Sequence, residues 1–225
     1  FPGHGGVTED SHDELAVLEA DAETLRRRDL LAFALALEAG PAGLMTGHLA
    51  APALEREAAR RAADASPARA AVSPATDASP ASPADPGLIP ASLSSAIVAI
   101  ARDELGFAGL VITDALNMRA LTELGTEPEL VVRAVEAGAD FVMKPLDARG
   151  ARDALVAAVA DGRISRERVE ESVARIFFAK VRLGIFGPAA RWREPLSVGR
   201  AEAVLGSAEH QATVDLIEEL AGGGS

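Results

Sequence analysis

The sequence predicts an α/β fold built on a parallel sheet, and three observations predict it. Short apolar runs at residues 43–48, 110–113 and 141–144 alternate with longer stretches of helical period. Glycine, proline or aspartate punctuates these runs. They stand tens of residues apart, which is the spacing of crossovers rather than of hairpins. A doubly wound sheet and part of a (β/α)8 barrel both satisfy the pattern. A polar residue closes each run, His48, Asp114 and Lys144 in turn, and the carboxyl ends of the strands are where a barrel carries its active site.

The elements follow in order. Residues 1–14, FPGHGGVTEDSHDE, have no apolar period and read as an irregular loop, a usual carrier of chemistry. From Thr24 to Ala39 the leucines recur at helical spacing, Thr24 can cap the start, and Gly40-Pro41 stops the run. Gly43 to His48 is the first buried strand. Residues 50–90 are Ala, Ser, Pro, Asp and Arg with almost no large apolar side chain, so they are expected to form a flexible insertion. Ser92 or Ser94 then caps a helix carrying Ile97, Ile100 and Leu105, closed by Gly106. Leu110 to Thr113 is the second strand and ends on Asp114. A helix at 128–137 stops at Gly138, before the third strand at 141–144. Helices over 151–160 and 165–183 follow. Past Gly187 the pattern weakens into a linker and a terminal helix over 208–221, so 1–186 and 187–225 are the expected divisions.

Composition narrows the function. The chain has 225 residues, no cysteine, and 34 acidic against 22 basic residues, a net charge of -12. Thiolate metal sites and cysteine nucleophiles are therefore excluded. A nucleic-acid backbone would meet repulsion, so no nucleic-acid partner is expected. No apolar run approaches the length of a transmembrane helix. Roughly a fifth of the chain is alanine, which favours helix and inflates the 48% hydrophobic content. Compartment is left open.

Two groups of residues could carry chemistry. Asp10-Ser11-His12 sets a carboxylate two residues before an imidazole, close enough to orient the ring and stabilise its protonated form; the same pair could equally be solvated on a loop. Asp114 closes an apolar strand, where it could either face a barrel mouth or cap the following turn. A carboxylate nucleophile with a proton donor is the minimum equipment for glycosidic bond cleavage. His4, His12, His48 and Asp10 could instead hold a metal, but no H-x-x-x-H spacing supports it. His48 could as easily pack under the rim, and His210 reads as a surface residue.

Together the motifs resemble glycoside hydrolase family 3. They are FPGHG, Asp10-Ser11-His12, LMTGH, Pro90-Ala91-x-Leu93-Ser94, the run from Leu105 through Asp114 to Met118, Gly138-Ala139-Asp140, Gly162-x-Ile164-Ser165 and Lys180-x2-Leu183-Gly184. The resemblance runs from Phe1 to about Phe186, and the D-S-H loop is similar to that of the β-N-acetylglucosaminidase type. Ala16 stands where the family pattern has proline. The resemblance implies an incomplete (β/α)8 barrel of about the last three strand-helix units, needing the missing amino-terminal strands. It implies a retaining exo-β-N-acetylglucosaminidase acting on terminal N-acetylglucosamine of cell-wall muropeptides or related glycosides. Asp114 would be the nucleophile, His12 the general acid/base and Asp10 its orienting partner. His4, His48 and Met118 are expected at the sugar. No metal or organic cofactor is implied. The alternative is a truncated, non-catalytic remnant that binds sugar or a partner.

Overall fold

A computed structural model describes residues 1–11, 14–65, 88–186, 207, 208, 211, 212 and 215. The chain divides into two compact units, Phe1–Arg182 and Leu183–Ser225. The expected terminal helix lies largely outside the described residues, as do residues 66–87 of the expected insertion.

In the first unit, β1 (Ala16–Val17) precedes a continuous helical stretch: α1 (Ala22–Leu25), a π-helical turn (Arg26–Leu30) and α2 (Leu31–Glu38). Asp21, rather than Thr24, caps it. Its carboxylate accepts the Thr24 N–H at 2.8 Å, so the cap lies three residues earlier than expected. Next come β2 (Gly43–Thr46), β3 (Leu49–Ala50) and α3 (Pro52–Ala65). A 3-10 turn (Ala91–Leu93) leads into α4 (Ser95–Ala99), which continues as a π-helical turn (Ile100–Glu104). Ser94 is the cap here, accepting from Ile97 N–H at 3.0 Å. Then follow β4 (Leu110–Ala115), α5 (Arg119–Thr122), α6 (Glu127–Ala137), β5 (Phe141–Met143), α7 (Ala148–Ala160) and α8 (Arg166–Arg182).

The sheet order is β2-β4-β5, all parallel, as the sequence spacing predicts, with a second parallel pair β1-β3. Alternation sorts the faces: Leu44, Thr46, Val111 and Thr113 are buried, while Met45 and Phe141 stand about half exposed on the opposite face. The buried face meets the helices through Leu25, Leu30, Ile97, Ile100 and Phe107, and a second cluster joins Leu93, Leu116, Leu121, Leu130 and Val131.

The expectation of a flexible insertion needs correcting at its start, because residues 52–65 are helical. Leu54 is fully buried in the main core. Arg26 bridges Glu57 at 3.1 Å and Glu104 at 2.7 Å, and Arg61 joins both carboxylates. One deep anchor and a cross-helix ion network hold what local composition read as featureless.

At the amino ends of the strands Asp140 ties the unit together. Its side chain is fully buried and accepts from Arg102 (2.5 Å), Arg168 (3.2 Å), Arg175 (3.0 Å), Ser172 (2.8 Å) and the Val111 N–H (3.0 Å). Two helical segments, the π-helical turn at Ile100–Glu104 and α8, are thereby fastened to the start of β4.

Candidate active site

The geometry of Asp114 begins with a register shift. Ile112 pairs with Phe141, yet Ala115 pairs with Met143, so three steps along β4 match two along β5. The extra residue makes a bulge that falls at Thr113 and Asp114, and a bulge bends its strand and redirects the side chains beside it. Thr113 Oγ1 accepts the Met143 N–H at 3.0 Å across the irregularity, and Leu116 N–H donates to Met143 O at 3.1 Å beyond it. Asp114 is half-buried, with Oδ1 accepting from the Ala115 N–H at 2.7 Å.

Phe1 lies on the other side of β2 from β4. Its nitrogen donates to Met45 O at 2.7 Å and its carbonyl accepts from Gly47 N–H at 3.0 Å, the bonding of one parallel-ladder step opposite Thr46. Residue 1 thus enters the sheet like a strand residue, although the sequence reads as loop from its first position. Asp114 lies within electrostatic reach of His48.

The FPGHG turn is seated on the helix that follows it. Phe1 packs edge-on against Phe33 with ring centroids 5.1 Å apart. Gly3 has φ 147 and passes so close to Asp29 that a Cβ would stand 2.6 Å from Oδ1, which explains glycine there. His4 is exposed, and its Nε2 lies 3.0 Å from Oγ of the buried Ser11. That contact joins the FPGHG turn to the middle of the Asp10-Ser11-His12 motif. Asp10 is exposed, and its carbonyl accepts the Glu14 N–H at 3.1 Å. His12 lies outside the described residues.

His48 has no solvent-exposed surface. Its Nε2 is 3.0 Å from Ala115 O, which can only accept, so Nε2 carries the proton. Nδ1 then accepts the Ser92 hydroxyl at 2.7 Å. Burial pushes the His48 pKa below its ordinary value, against the opposing pull of Ala115 O and the Asp114 charge. Both nitrogens are occupied, so His48 has nothing left with which to meet a sugar. Met118 is also buried, and its N–H donates to Ala115 O at 3.1 Å. Both side chains are therefore buried, His48 between Ala115 O and the Ser92 hydroxyl and Met118 at the turn that follows β4.

Sequence reasoning missed Ser92 and Thr113. Ser92 was readable in principle: PASLSS offers more serines than one helix start can use, and Ser94 takes the capping role. Lys144 follows β5 exposed and in the left-handed region at φ 49, a costly conformation for a side-chain-bearing residue. Among the described residues no group of three His, Asp or Glu side chains is placed to hold a metal ion, and no helix is long and apolar enough to cross a membrane.

Comparison with known proteins follows the same residues. The model of the glycosyl hydrolase family 3 N terminal domain matches residues 1–179. A β-hexosaminidase A of Pseudoalteromonas piscicida is 27% identical over 222 residues, covering 94% of this chain and 32% of that protein. A β-N-acetylglucosaminidase/β-glucosidase of Cellulomonas fimi is 27% identical over 214 residues, covering 95% and 33%. The solved structure of a glycoside hydrolase family 3 β-N-acetylglucosaminidase from a Paenibacillus species superposes with a TM-score of 0.72 at 34% identity, covering 97% of this chain and 36% of that one. The chain spans about a third of the length of the relatives it matches.

Proposed function

The chain belongs to glycosyl hydrolase family 3, and from that premise we propose that it is part of a retaining exo-β-N-acetylglucosaminidase with Asp114 as nucleophile. The observation that carries this reading is the bulge that redirects Asp114 at the carboxyl end of β4, with the FPGHG turn at the same end of the sheet.

In the proposed reaction an Asp114 oxygen attacks the anomeric carbon as the bond to the leaving oxygen breaks. His12 gives that oxygen its proton. The product is a glycosyl ester on Asp114 and the free aglycone. His12, now neutral, takes a proton from water; the water oxygen attacks the same carbon, and the ester bond to Asp114 breaks. Two displacements leave the configuration retained. Asp10 orients the His12 ring and favours its charged form, so one group serves as acid and then as base. Terminal N-acetylglucosamine, including that of muropeptides, is the proposed substrate, which agrees with the names of the relatives.

The parallel strands are proposed to be part of a (β/α)8 barrel. The half-exposed Met45 and Phe141 support this, since a barrel buries that face against its remaining strands. The test is Asp114→Ala and His12→Ala in a protein carrying the complete barrel, assayed on 4-nitrophenyl N-acetyl-β-D-glucosaminide. Turnover should fall to near background in the first, and by about a hundredfold or more in the second. Wild-type turnover in both overturns the assignment. The 225 residues alone are expected to hydrolyse little or nothing, because much of the pocket wall would be absent.

A further inference from the structure

We propose that His48 is a positioning residue for the nucleophile, acting through Ala115, and that Ser92 fixes the tautomer in which it does so. The inference rests on the reading of Asp114 given above and adds to it the means by which the strand end is held.

Ala115 is pinned on two sides. Its N–H donates to the Asp114 carboxylate at 2.7 Å, and its carbonyl accepts from His48 Nε2 at 3.0 Å and from the Met118 N–H at 3.1 Å. The carbonyl's two lone pairs are thereby filled. The next peptide N–H, that of Leu116, donates to Met143 O at 3.1 Å, so the 115–116 peptide is held between His48 and β5. His48 follows the end of β2, Ser92 lies on the 3-10 turn, and the Ser92 N–H itself donates to Gly47 O at 3.2 Å. Three separate pieces of chain therefore meet at one imidazole, directly behind a bulge that would otherwise let Asp114 shift.

The tautomer decides whether this works. In the neutral ring Nε2 donates to a carbonyl only while Nδ1 is an acceptor, and the Ser92 hydroxyl at 2.7 Å supplies the matching donor. Without Ser92 the Nε2–H tautomer keeps its bond to Ala115 O but leaves Nδ1 unpaired, and the Nδ1–H tautomer makes neither bond, so the ring is held on one side only. A misplacement of the order of an ångström costs a reaction about a hundredfold, so loss of one of several restraints should be felt in turnover rather than in sugar affinity.

The experiment uses the complete-barrel protein and compares His48→Ala, His48→Gln and Ser92→Ala on the same nitrophenyl glycoside, with thermal unfolding to measure the folded fraction. His48→Ala is expected to lower kcat about tenfold or more with KM little changed. Glutamine can donate to Ala115 O and accept from Ser92, so His48→Gln should recover much of the loss, with Ser92→Ala intermediate. A rise in KM at unchanged kcat would make His48 a sugar contact and overturn the proposal. So would a loss of activity that only follows the folded fraction, or wild-type kcat in folded His48→Ala. Asp114→Ala is run beside them: if it keeps wild-type turnover, the nucleophile reading itself fails, whereas its inactivity beside an unimpaired His48→Ala sinks the positioning role alone.

Discussion

Thr113 Oγ1 accepts the Met143 N–H at 3.0 Å, so a side-chain hydroxyl takes a donor that a regular ladder would give to a main-chain carbonyl. Thr113 is fully buried on the helix-facing side and Asp114 follows it. The bulge is thus held by the residue next to the one it redirects. Thr113→Val keeps the shape but removes the acceptor, and should cost about 1–3 kcal/mol of stability, the range for leaving a buried donor unmade. Turnover of the complete protein should fall as well, because Asp114 loses its fixed backbone. Thr113→Ser should keep both. Urea unfolding and kcat check this; unchanged values in the valine variant would show that the hydroxyl does not hold the bulge.

Asp140 allows a prediction that separates stability from catalysis. Burial pushes its pKa up, but the Val111 N–H, the Ser172 hydroxyl and the arginine charges outweigh it and hold the pKa below the ordinary value. Asp140→Asn would leave Arg102, Arg168 and Arg175 facing a neutral amide, and removing one partner of a buried ion pair costs about 3–5 kcal/mol. Because a lowered carboxylate pKa contributes stability above the ordinary value and loses it as pH falls through the folded one, the variant should also lose part of the acid-unfolding transition. Asp140 lies at the amino ends of the strands, so kcat per folded molecule should not change. Equilibrium unfolding near neutral pH, acid titration and active-site-normalised rates test the three statements.

How much of this was legible follows from the range of the forces involved. The β4 run was readable because its burial pattern is local, and so was the Gly138 stop after α6, where φ is 114 and only glycine is at ease. The motif residues Asp114 and Asp10-Ser11-His12 stood out for the same reason. Helix α3 was not readable, since its partners Arg26 and Glu104 are brought to Glu57 and Arg61 by the fold and not by neighbouring positions. Strands β1 and β3 span two residues each, too few to show a period. The bulge depends on the register of strands 29 residues apart at Ile112 and Phe141, and no local pattern reports a register. His48 was visible as a residue, but its bond to Ala115 spans 67 positions.

The lowered pKa of His48 has a consequence for stability. A base whose folded pKa lies below its unfolded value binds fewer protons when folded, so its stabilising contribution is intact above about pH 6.5 and declines as pH falls towards the folded value. The unfolding midpoint of the wild type should therefore drop between about pH 7.5 and 5.5 by more than that of His48→Gln, which has no proton to take up. Glu55 titrates with the opposite sign, so the comparison of the two proteins, not the wild-type slope, is the test. Parallel slopes would mean that His48 is protonated alike in both states.

Glu55 lies in the first turn of α3 and accepts the Ser94 hydroxyl, while Ser94 Oγ accepts the Ile97 N–H that starts α4. Burial raises the Glu55 pKa, and the Ser94 bond opposes the rise only in part. A raised carboxylate pKa means that the stabilising contribution is present below the ordinary value and is lost as pH rises through the folded one. Near neutral pH the charge is then a burden, although the first turn of a helix favours a negative side chain and pulls the other way. Glu55→Gln keeps an oxygen for the Ser94 hydroxyl and removes the charge, so it should raise the unfolding temperature near pH 7 and leave it almost unchanged near pH 4. Glu55→Ala should lower it at both, because the acceptor for Ser94 is lost with the charge. If Glu55→Gln lowers it near pH 7, the helix-end attraction is the larger effect and the carboxylate holds α3 to α4 by its charge.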